Sequence, residues 1–355
     1  MPIKIKPITD EKSWQDFEKI RAPHTFLQTW EWGAAQELLG NKIFRLGIYG
    51  NGKIQGTAFA YKISARRGSF LFCPHGPSID WKCSEFPQNT KKTKYENFDN
   101  FRALAGYLRE LGKSERVGFV RISSLAPDND DMKKLFRDSG FISAPVHMMH
   151  PENAWILDID RPEEEIIGAM KKRTRYSIRK AEKDGIKITT SANPADVRLF
   201  YEMYLETARR QKFVPFSESY IRREFEIFRK NNKALMFFAY FKGKLISAAV
   251  IIFSSKMAFY HHGASIRSDN SGLTASELLQ WNVILEARHR GLASYNFWGI
   301  APENCPKHPW HGLTTFKKGF GGHPENYLHA QDLVISPKYW LNYIVETVRR
   351  WKRGY

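Results

Sequence analysis

Two lysines near the end of the chain are the residues best suited to chemistry. The segment Tyr295-Asn-Phe-Trp-Gly-Ile300 reads as a strand that runs into a glycine, and a polar loop separates it from Leu313-Thr-Thr-Phe-Lys-Lys-Gly-Phe-Gly-Gly322. An ammonium group pointed into a cleft can stabilise the oxyanion that forms when an ester carbonyl is attacked. Lys317, adjacent to Phe316, is our candidate for this role. Because consecutive strand residues face opposite ways, Lys318 is its control, and a purely structural lysine is the alternative.

A stripe of positive charge is predicted on a helix that begins the second half of the chain. Between residues 171 and 185 the basic side chains at steps of three and four are Lys172, Arg175, Arg179 and Lys183. Such a stripe can follow a phosphate backbone, whereas a solvated surface face is the ordinary explanation for a run of charge. Gly185 is expected to end the helix, before a strand at 186–188.

An arginine pair, Arg209 and Arg210, ends another predicted helix, whose apolar face is formed by Leu199, Phe200, Met203 and Tyr204. The pair could clamp a diphosphate, or it could simply complement the helix dipole.

Aromatic and histidine side chains end one central strand in each half, at 72–77 and at 259–263, and Tyr260 is a candidate ligand contact there. Cys305, His308 and His311 form a C-x-x-H-x-x-H run. Spacing places no fourth ligand, so we predict no metal site and no cofactor.

The chain reads as one α+β unit written twice. Strands at 43–49, 54–63 and 69–73 form an antiparallel meander, and the same pattern recurs at 235–241, 245–253 and 257–263. The turn sequence Gly-Lys-Ile-Gln-Gly-Thr-Ala (52–58) aligns with Gly-Lys-Leu-Ile-Ser-Ala-Ala (243–249) without a gap. This similarity indicates an internal duplication, with mixed, mostly antiparallel sheets flanked by helices.

A domain boundary is expected near Asp158-Ile-Asp-Arg-Pro162. There Asp160 could cap a helix, Pro162 would suit its first turn, and residues 163–165 would complement its dipole. A long helix with one apolar face is predicted at 275–290, after the second meander. The expected domains are 1–157, completed by 326–355, and 158–325.

The composition favours a cytoplasmic, anion-binding protein. The sequence has 55 Lys and Arg against 37 Asp and Glu, for a formal charge of +18, and this favours a polyanionic partner. Three scattered cysteines do not make a disulfide framework. No signal peptide is recognised, and the longest apolar run, 245–253, is too short to cross a bilayer.

The final segment, 336–355, places Trp340, Ile344, Val348 and Trp351 at helical spacing among basic residues. Packing of this helix on the first domain is favoured. Docking on an anionic membrane, at the inner face of the plasma membrane, is the alternative.

Taken together and in chain order, several segments resemble the FemABX family. Members of this family use aminoacyl-tRNA to attach cross-bridge amino acids to peptidoglycan precursors. The matching segments cover nearly the whole chain: Phe26-Leu-Gln-Thr-Trp-Glu-Trp-Gly33, Pro74-His-Gly-Pro77, Arg173-Thr-Arg-Tyr-Ser-Ile-Arg-Lys-Ala181, Arg209-Arg-Gln-Lys-Phe213, Tyr260-His-His-Gly-Ala-Ser265, and Tyr295-Asn-Phe-Trp-Gly299 leading to Phe316-Lys317. The chain lacks a heptad stretch for a coiled-coil arm and therefore looks like a compact FemX-type member.

The resemblance implies two acetyltransferase-like (GNAT-like) units, the C-terminal segment returning to the first. It implies a catalytic role for Lys317, and substrate contacts for a set of residues: Arg209, Arg210, Tyr260, Phe316, Trp298 and Trp32. The implied partners are aminoacyl-tRNA and a UDP-MurNAc-peptide or lipid-linked muropeptide. The chain departs from residues common in the family at Asn296, His261 and His262. The segment 28–33 also offers no lysine to a precursor phosphate. These differences leave the identity of the precursor undetermined.

Two other functions remain as alternatives. One is an acyl-CoA-dependent N-acyltransferase. Such enzymes hold the CoA pyrophosphate on a loop with spaced glycines, and the segment 264–274 has none, which argues against this alternative. The other is a non-catalytic RNA- or envelope-binding protein.

Overall fold

The computed structural model describes residues 2–20, 24–81, 96–266, 275–303, 305 and 308–353. The chain folds into two compact units. One comprises Met1–Glu152 with Glu325–Tyr355, and the other comprises Asn153–Pro324. The segment 267–274 of the proposed CoA loop, and Cys83, lie outside the described residues.

The strands, in chain order, are β1 (Lys4–Pro7), β2 (Lys42–Gly50), β3 (Lys53–Ala65), β4 (Gly68–His75), β5 (Phe119–Ser124), β6 (Phe141–Ser143), β7 (Asn153–Asp158), β8 (Lys187–Ser191), β9 (Ala234–Phe241), β10 (Lys244–Ser254), β11 (Met257–Ser265), β12 (Ser294–Gly299), β13 (His323–Asn326) and β14 (Gln331–Val334). The α-helices are α1 (Glu11–Ile20), α2 (Trp30–Leu38), α3 (Glu96–Ser114), α4 (Asp130–Asp138), α5 (Glu163–Ala169), α6 (Lys172–Lys183), α7 (Val197–Gln211), α8 (Glu218–Lys230), α9 (Ala275–His289), α10 (His311–Lys318) and α11 (Tyr339–Arg353).

Each unit has its own mixed sheet flanked by helices, and the α+β prediction is confirmed. In the described residues the first sheet has the order β1-β2-β3-β4-β5-β14-β6, and the second has the order β13-β7-β12-β11-β10-β9-β8. Because β7 pairs with β12, it belongs to the second sheet, whereas the sequence placed most of it with the first domain.

The two predicted meanders share the conformation of their first turn. Asn51 and Gly52 both have positive φ between β2 and β3, and so do Lys242 and Gly243 between β9 and β10. Two-residue hairpin turns of this kind need positive φ at both central positions, which glycine adopts without strain. The aligned glycines therefore serve the same structural purpose in both halves.

A buried ion-pair cluster ties the C-terminal segment into the first unit. β14 lies between β5 and β6, antiparallel to both. Arg121 on β5 donates from Nε and Nη2 to the two carboxylate oxygens of Asp332 on β14, each at 2.7 Å, and both side chains are buried. Tyr339 Oη donates to Asp332 at 2.9 Å, and Glu346 lies 2.8 Å from Arg121 Nη2. These contacts fix α11 through Tyr339 and Glu346.

The predicted apolar stripe of α11 does not form the packed face. Helix α11 packs on its unit, but through the opposite side, and Trp340, Ile344 and Trp351 are 51%, 60% and 82% exposed. Leu341 and Val348 extend this exposed stripe. Among the described residues, no helix has both the length and the apolar character needed to traverse a membrane.

The second unit departs from the predicted helices in three places. Asp160 is not the cap that the sequence suggested: α5 begins after Pro162, which makes no side-chain cap bond. The basic helix is not a continuation of α5, because extended backbone at Met170 and Lys171 separates α5 from α6. Leu199, predicted to face the core, is 42% exposed, whereas Phe200, Met203 and Tyr204 are buried as expected.

Candidate active site at a splayed strand pair

Strands β11 and β12 lie side by side but separate along their length. They pair in parallel only where Met257–Phe259 meet Ser294–Asn296. In the first unit the corresponding pair, β4 and β5, stays in register from Leu71 to His75. Beyond Phe259, therefore, the facing edges of β11 and β12 carry backbone groups outside the sheet ladder, which is where a ligand can bind between strands.

The end of β12 has an unusual backbone. Trp298 has φ +68, a left-handed conformation that costs a non-glycine residue about 1–3 kcal/mol. The register with β7 shifts between Asn296 and Gly299, and the Trp298 amide donates to Asn296 Oδ1 at 2.7 Å. Strain of this kind often marks functional sites.

Lys317 lies on α10 and contacts this end of β12. Its Nζ donates to the Gly299 carbonyl at 2.5 Å, and the side chain is 3% exposed. Burial lowers the pKa of Lys317 to about 7. The amine can therefore hold or lose its proton near neutral pH, and its charge would act in a site that excludes water.

The expectation that the lysine pair lies on a strand is wrong. Both residues form the last turn of α10, and the helical twist, rather than strand alternation, turns them apart. Lys318 is partly exposed, and its Nζ lies 5.1 Å from the ring centre of Trp155. Lys318 thus remains a usable control for Lys317. Phe316 is half-buried, with its ring 5.4 Å from that of Phe320.

Tyr260 lies where β11 leaves its pairing with β12. Burial raises the pKa of Tyr260 to about 12, so its phenol stays protonated. A Cβ at Gly263 would come within 1.8 Å of Tyr260 Oη, so only glycine leaves room for the phenol.

Arg210, at the end of α7, anchors the far end of β11. Its Nη2 donates to the Ser265 carbonyl at 2.7 Å, while its buried Nη1 has no hydrogen-bond partner among the described residues. Arg209 is exposed beside it.

The basic stripe of α6 begins next to the lysine helix, because the Lys171 amide donates to the Gly319 carbonyl at 2.9 Å. Lys172, Arg179 and Lys183 are exposed. Arg175 differs, since its Nη1 donates to the carbonyls of Gly168 and Met170 and so closes the end of α5. Three members of the stripe are thus available to a ligand along α6, and one is engaged in the fold.

Trp32 lies in the first unit, apart in sequence and domain from the other candidates. Its side chain is 3% exposed and packs edge-on against Phe26, with ring centres 5.6 Å apart.

One cluster of ionisable side chains near the point where β11 and β12 separate was not predicted from the sequence. Glu224 on α8 lies within reach of His261 and His262, and Glu224 Oε1 is 2.6 Å from His261 Nε2. The ring centres of His261 and Trp298 are 6.3 Å apart. Neighbouring strand residues normally face opposite ways, so no pattern in the sequence indicates that both imidazoles share a face.

Comparison with known proteins agrees with this geometry. A family model described as an acetyltransferase (GNAT) domain matches residues 168–317. A lipid II:glycine glycyltransferase of Staphylococcus epidermidis is 20% identical, over 94% of this chain and 93% of its own length. The Staphylococcus aureus (strain MRSA252) protein of the same name is 19% identical, over 92% of each chain.

Two solved structures share the fold over nearly the full chain. A crystal structure of FemX superimposes with a TM-score of 0.81 at 17% identity, covering 96% of this chain and all of that one. A tandem GNAT protein from the clavulanic acid biosynthesis pathway gives a TM-score of 0.55 at 13% identity, over 94% of this chain and 99% of its own.

The resemblance to the FemABX family is confirmed. The FemX-like fold consists of two GNAT-like units, as predicted. Since the acetyltransferase model and the glycyltransferase relatives agree on group transfer, the chain is a transferase of acyl or aminoacyl groups.

Proposed function

We propose that this chain transfers an aminoacyl group from aminoacyl-tRNA to an amine of a peptidoglycan precursor. The observation that carries the proposal is the buried Lys317 amine on the Gly299 carbonyl, at a splayed strand pair within a FemX-like fold. A buried, ionisable amine at a strand opening has little structural value and supplies what an acyl transfer needs at its oxyanion.

In the proposed reaction a neutral amine nitrogen of the acceptor attacks the ester carbonyl carbon of the donor. The C–N bond forms, the ester C–O bond breaks, and the proton released by the nitrogen leaves on the tRNA hydroxyl. The protonated amine of Lys317 stabilises the negative oxygen of the tetrahedral intermediate. Because the ester is already activated, alignment and charge stabilisation suffice for the step.

The charge around the lysine helix supports aminoacyl-tRNA as the donor. Exposed basic side chains of α6 start where Lys171 bonds to Gly319, two residues beyond Lys317. A polyanion that follows this stripe would therefore deliver its end to the lysine. The formal charge of +18 supports attraction of such a partner.

A lipid-linked acceptor is favoured over a nucleotide-linked one. The curated relatives are named for lipid II, and α11 exposes an apolar stripe bordered by Arg349, Arg350 and Lys352. A cavity of about 460 Å³ lies beside this helix, and Arg67, Lys113, Arg116 and Lys338 are among its lining residues. An anionic membrane surface complements both features, and it would place the chain at the inner face of the plasma membrane. In this proposal Arg209 and Arg210 bind the phosphate groups of the precursor. The remaining contacts with the precursor are made by Tyr260, Phe316, Trp298 and Trp32.

The acetyltransferase model over residues 168–317 supports a second candidate, an acyl-CoA-dependent N-acyltransferase. Both candidates are tested by one experiment. Purified protein is mixed with radiolabelled aminoacyl-tRNA or acyl-CoA and, separately, with nucleotide-linked or lipid-linked muropeptide, and label in the muropeptide is followed by chromatography and mass. We expect label only from aminoacyl-tRNA, with the lipid-linked acceptor preferred. Transfer from acyl-CoA alone would establish the second candidate instead.

A further inference from the structure

The cluster formed by Glu224, His261 and His262 has the composition and geometry of a metal site. One ligand atom from each residue lies within 4.8 Å of the other two. Two imidazoles and one carboxylate are a ligand set that zinc uses, with its remaining position left to water or another ligand.

A β-bulge brings the two histidines together. On β11, Tyr260 pairs with Ile251 and His262 pairs with Val250, so His261 is an extra residue without a partner position on β10. The bulge cancels the usual alternation of side chains and places both imidazoles on one face, with ring centres 3.9 Å apart. Bulges commonly re-aim side chains next to functional sites.

The third side chain comes from a helix and is fully desolvated. Glu224 is 2% exposed, and its Oε1 lies 2.6 Å from His261 Nε2. Glu224 Oε2 and His262 Nε2 are both buried and have no hydrogen-bond partner among the described residues. Buried acceptors in this condition call for an ion or water that completes their coordination.

The surroundings fit a small cation that must be shielded from bulk water. Phe200, Tyr204 and Phe216 place their rings within 6.3 Å of the His262 ring. Phe216 is 49% exposed, so one of the rings that cover the cluster lies at the protein surface.

We propose that Glu224, His261 and His262 bind one divalent transition-metal ion, with zinc as the expected occupant. Imidazole and carboxylate ligands together suit zinc better than the oxygen-preferring magnesium or calcium. With metal–ligand bonds of roughly 2.0–2.1 Å, the ion would lengthen the distance between Glu224 Oε1 and His261 Nε2 by less than ~1 Å. It would cross-link the bulge of β11 to α8 and so hold in place the strand that carries Tyr260.

The test is metal analysis of the purified full chain, dialysed against zinc and then against metal-free buffer. We expect one zinc per chain, a rise in Tm with added zinc, and visible d–d absorption when cobalt replaces zinc. His262→Ala and the conservative His262→Gln should each lose the bound metal and the Tm response while keeping the circular dichroism of the folded chain. Glu224→Gln should weaken zinc binding in the same direction.

The chain provides its own matched control. Cys305 and His308 form part of a motif that resembles a metal ligand set, yet neither belongs to the described cluster. The double variant Cys305→Ala/His308→Ala should keep one zinc per chain. The proposal is overturned if the wild type binds no zinc in these titrations, or if the His262 variants keep the metal and the control variant loses it.

Discussion

At the scale of single residues, the proposed transfer depends on the protonation of Lys317. Burial disfavours the ammonium form and lowers the pKa of Lys317 to about 7. The lysine is therefore held close to its titration point, where a bound anion or a developing oxyanion can draw it back to the charged form.

This placement predicts a specific pH profile. If the charged form is required, two ionisations shape kcat/KM, because this constant reports the free enzyme and the free substrate. Loss of a proton from the acceptor amine, whose ordinary pKa lies above 7, makes kcat/KM rise with pH. Loss of the proton from Lys317 at about pH 7 should stop this rise and give a plateau. In Lys317→Arg, which keeps its charge, kcat/KM should go on rising above pH 7, whatever activity the variant retains. A plateau that begins at the same pH in that variant would show that another group titrates.

The sequence indicates Lys317 as a candidate but does not indicate the helix that carries it. The aromatic-flanked lysine pair was visible, whereas its helix was not, because α10 is short and mixes glycine and threonine with its apolar residues. That His261 and His262 share a face could not be predicted. This arrangement depends on a one-residue bulge, and nothing in the local sequence of β11 specifies where a bulge falls.

At the scale of elements, the C-terminal segment is held by charge as well as by strand pairing. Arg121 is 1% exposed and satisfies both Asp332 and Glu346. Removal of one partner of such a buried pair leaves an uncompensated charge.

We therefore expect Arg121→Met to lower the free energy of unfolding by roughly 3–5 kcal/mol, measured by denaturant unfolding. Limited proteolysis should cut the variant near the start of α11 before it cuts elsewhere. The triple replacement Arg121→Met, Asp332→Leu and Glu346→Leu removes the stranded charges and should recover part of the loss. If Arg121→Met alone is as stable as wild type, the cluster does not anchor α11.

The exposed stripe of α11 makes a second prediction at this scale. The chain should sediment with vesicles that contain anionic phosphatidylglycerol and much less with neutral phosphatidylcholine, because apolar insertion and basic charge act together. Trp340→Ala with Trp351→Ala should reduce this binding at least several-fold, and added salt should weaken it. Leu199→Ala, which trims an exposed apolar side chain of the second unit, is the matched control. Equal binding to both vesicle types would argue against an anionic membrane partner.

The element pattern itself was largely predictable. Both meanders and their glycine turns follow from alternation and turn chemistry, which are local properties of the sequence. The break between α5 and α6 was missed because Met170 and Lys171 are ordinary helix residues, and a tertiary contact, the bond from Lys171 to Gly319, competes for the backbone there.

At the scale of the whole molecule, positive charge is proposed to select the donor. Lys172 and Lys183 are exposed on the face of α6 that we assign to tRNA. Lys133 and Lys134 on α4 are also exposed, but they pair with Asp128 and Asp138. Replacing either pair of lysines by Gln removes the same amount of positive charge, from α6 in one case and from α4 in the other.

Replacement of Lys172 and Lys183 by Gln should weaken aminoacyl-tRNA binding and flatten its salt dependence. Each lost phosphate contact lowers the slope of log K against log salt by about 0.7–0.9. The double variant Lys133→Gln/Lys134→Gln should leave both quantities near wild type. Equal losses in the two variants, measured by fluorescence anisotropy across a salt series, would mean that net charge rather than α6 determines the binding.

The decisive measurement is the rate of a single turnover from preformed aminoacyl-tRNA to lipid-linked muropeptide, with Lys317→Met and Lys318→Met compared with wild type. We predict that Lys317→Met slows the chemical step by on the order of 10²-fold or more, the scale of a lost oxyanion contact, while Lys318→Met stays near wild type. Lys317→Met should also be at least as stable as wild type, because it no longer buries an amine. A folded Lys317→Met protein that transfers at the wild-type rate would contradict the account.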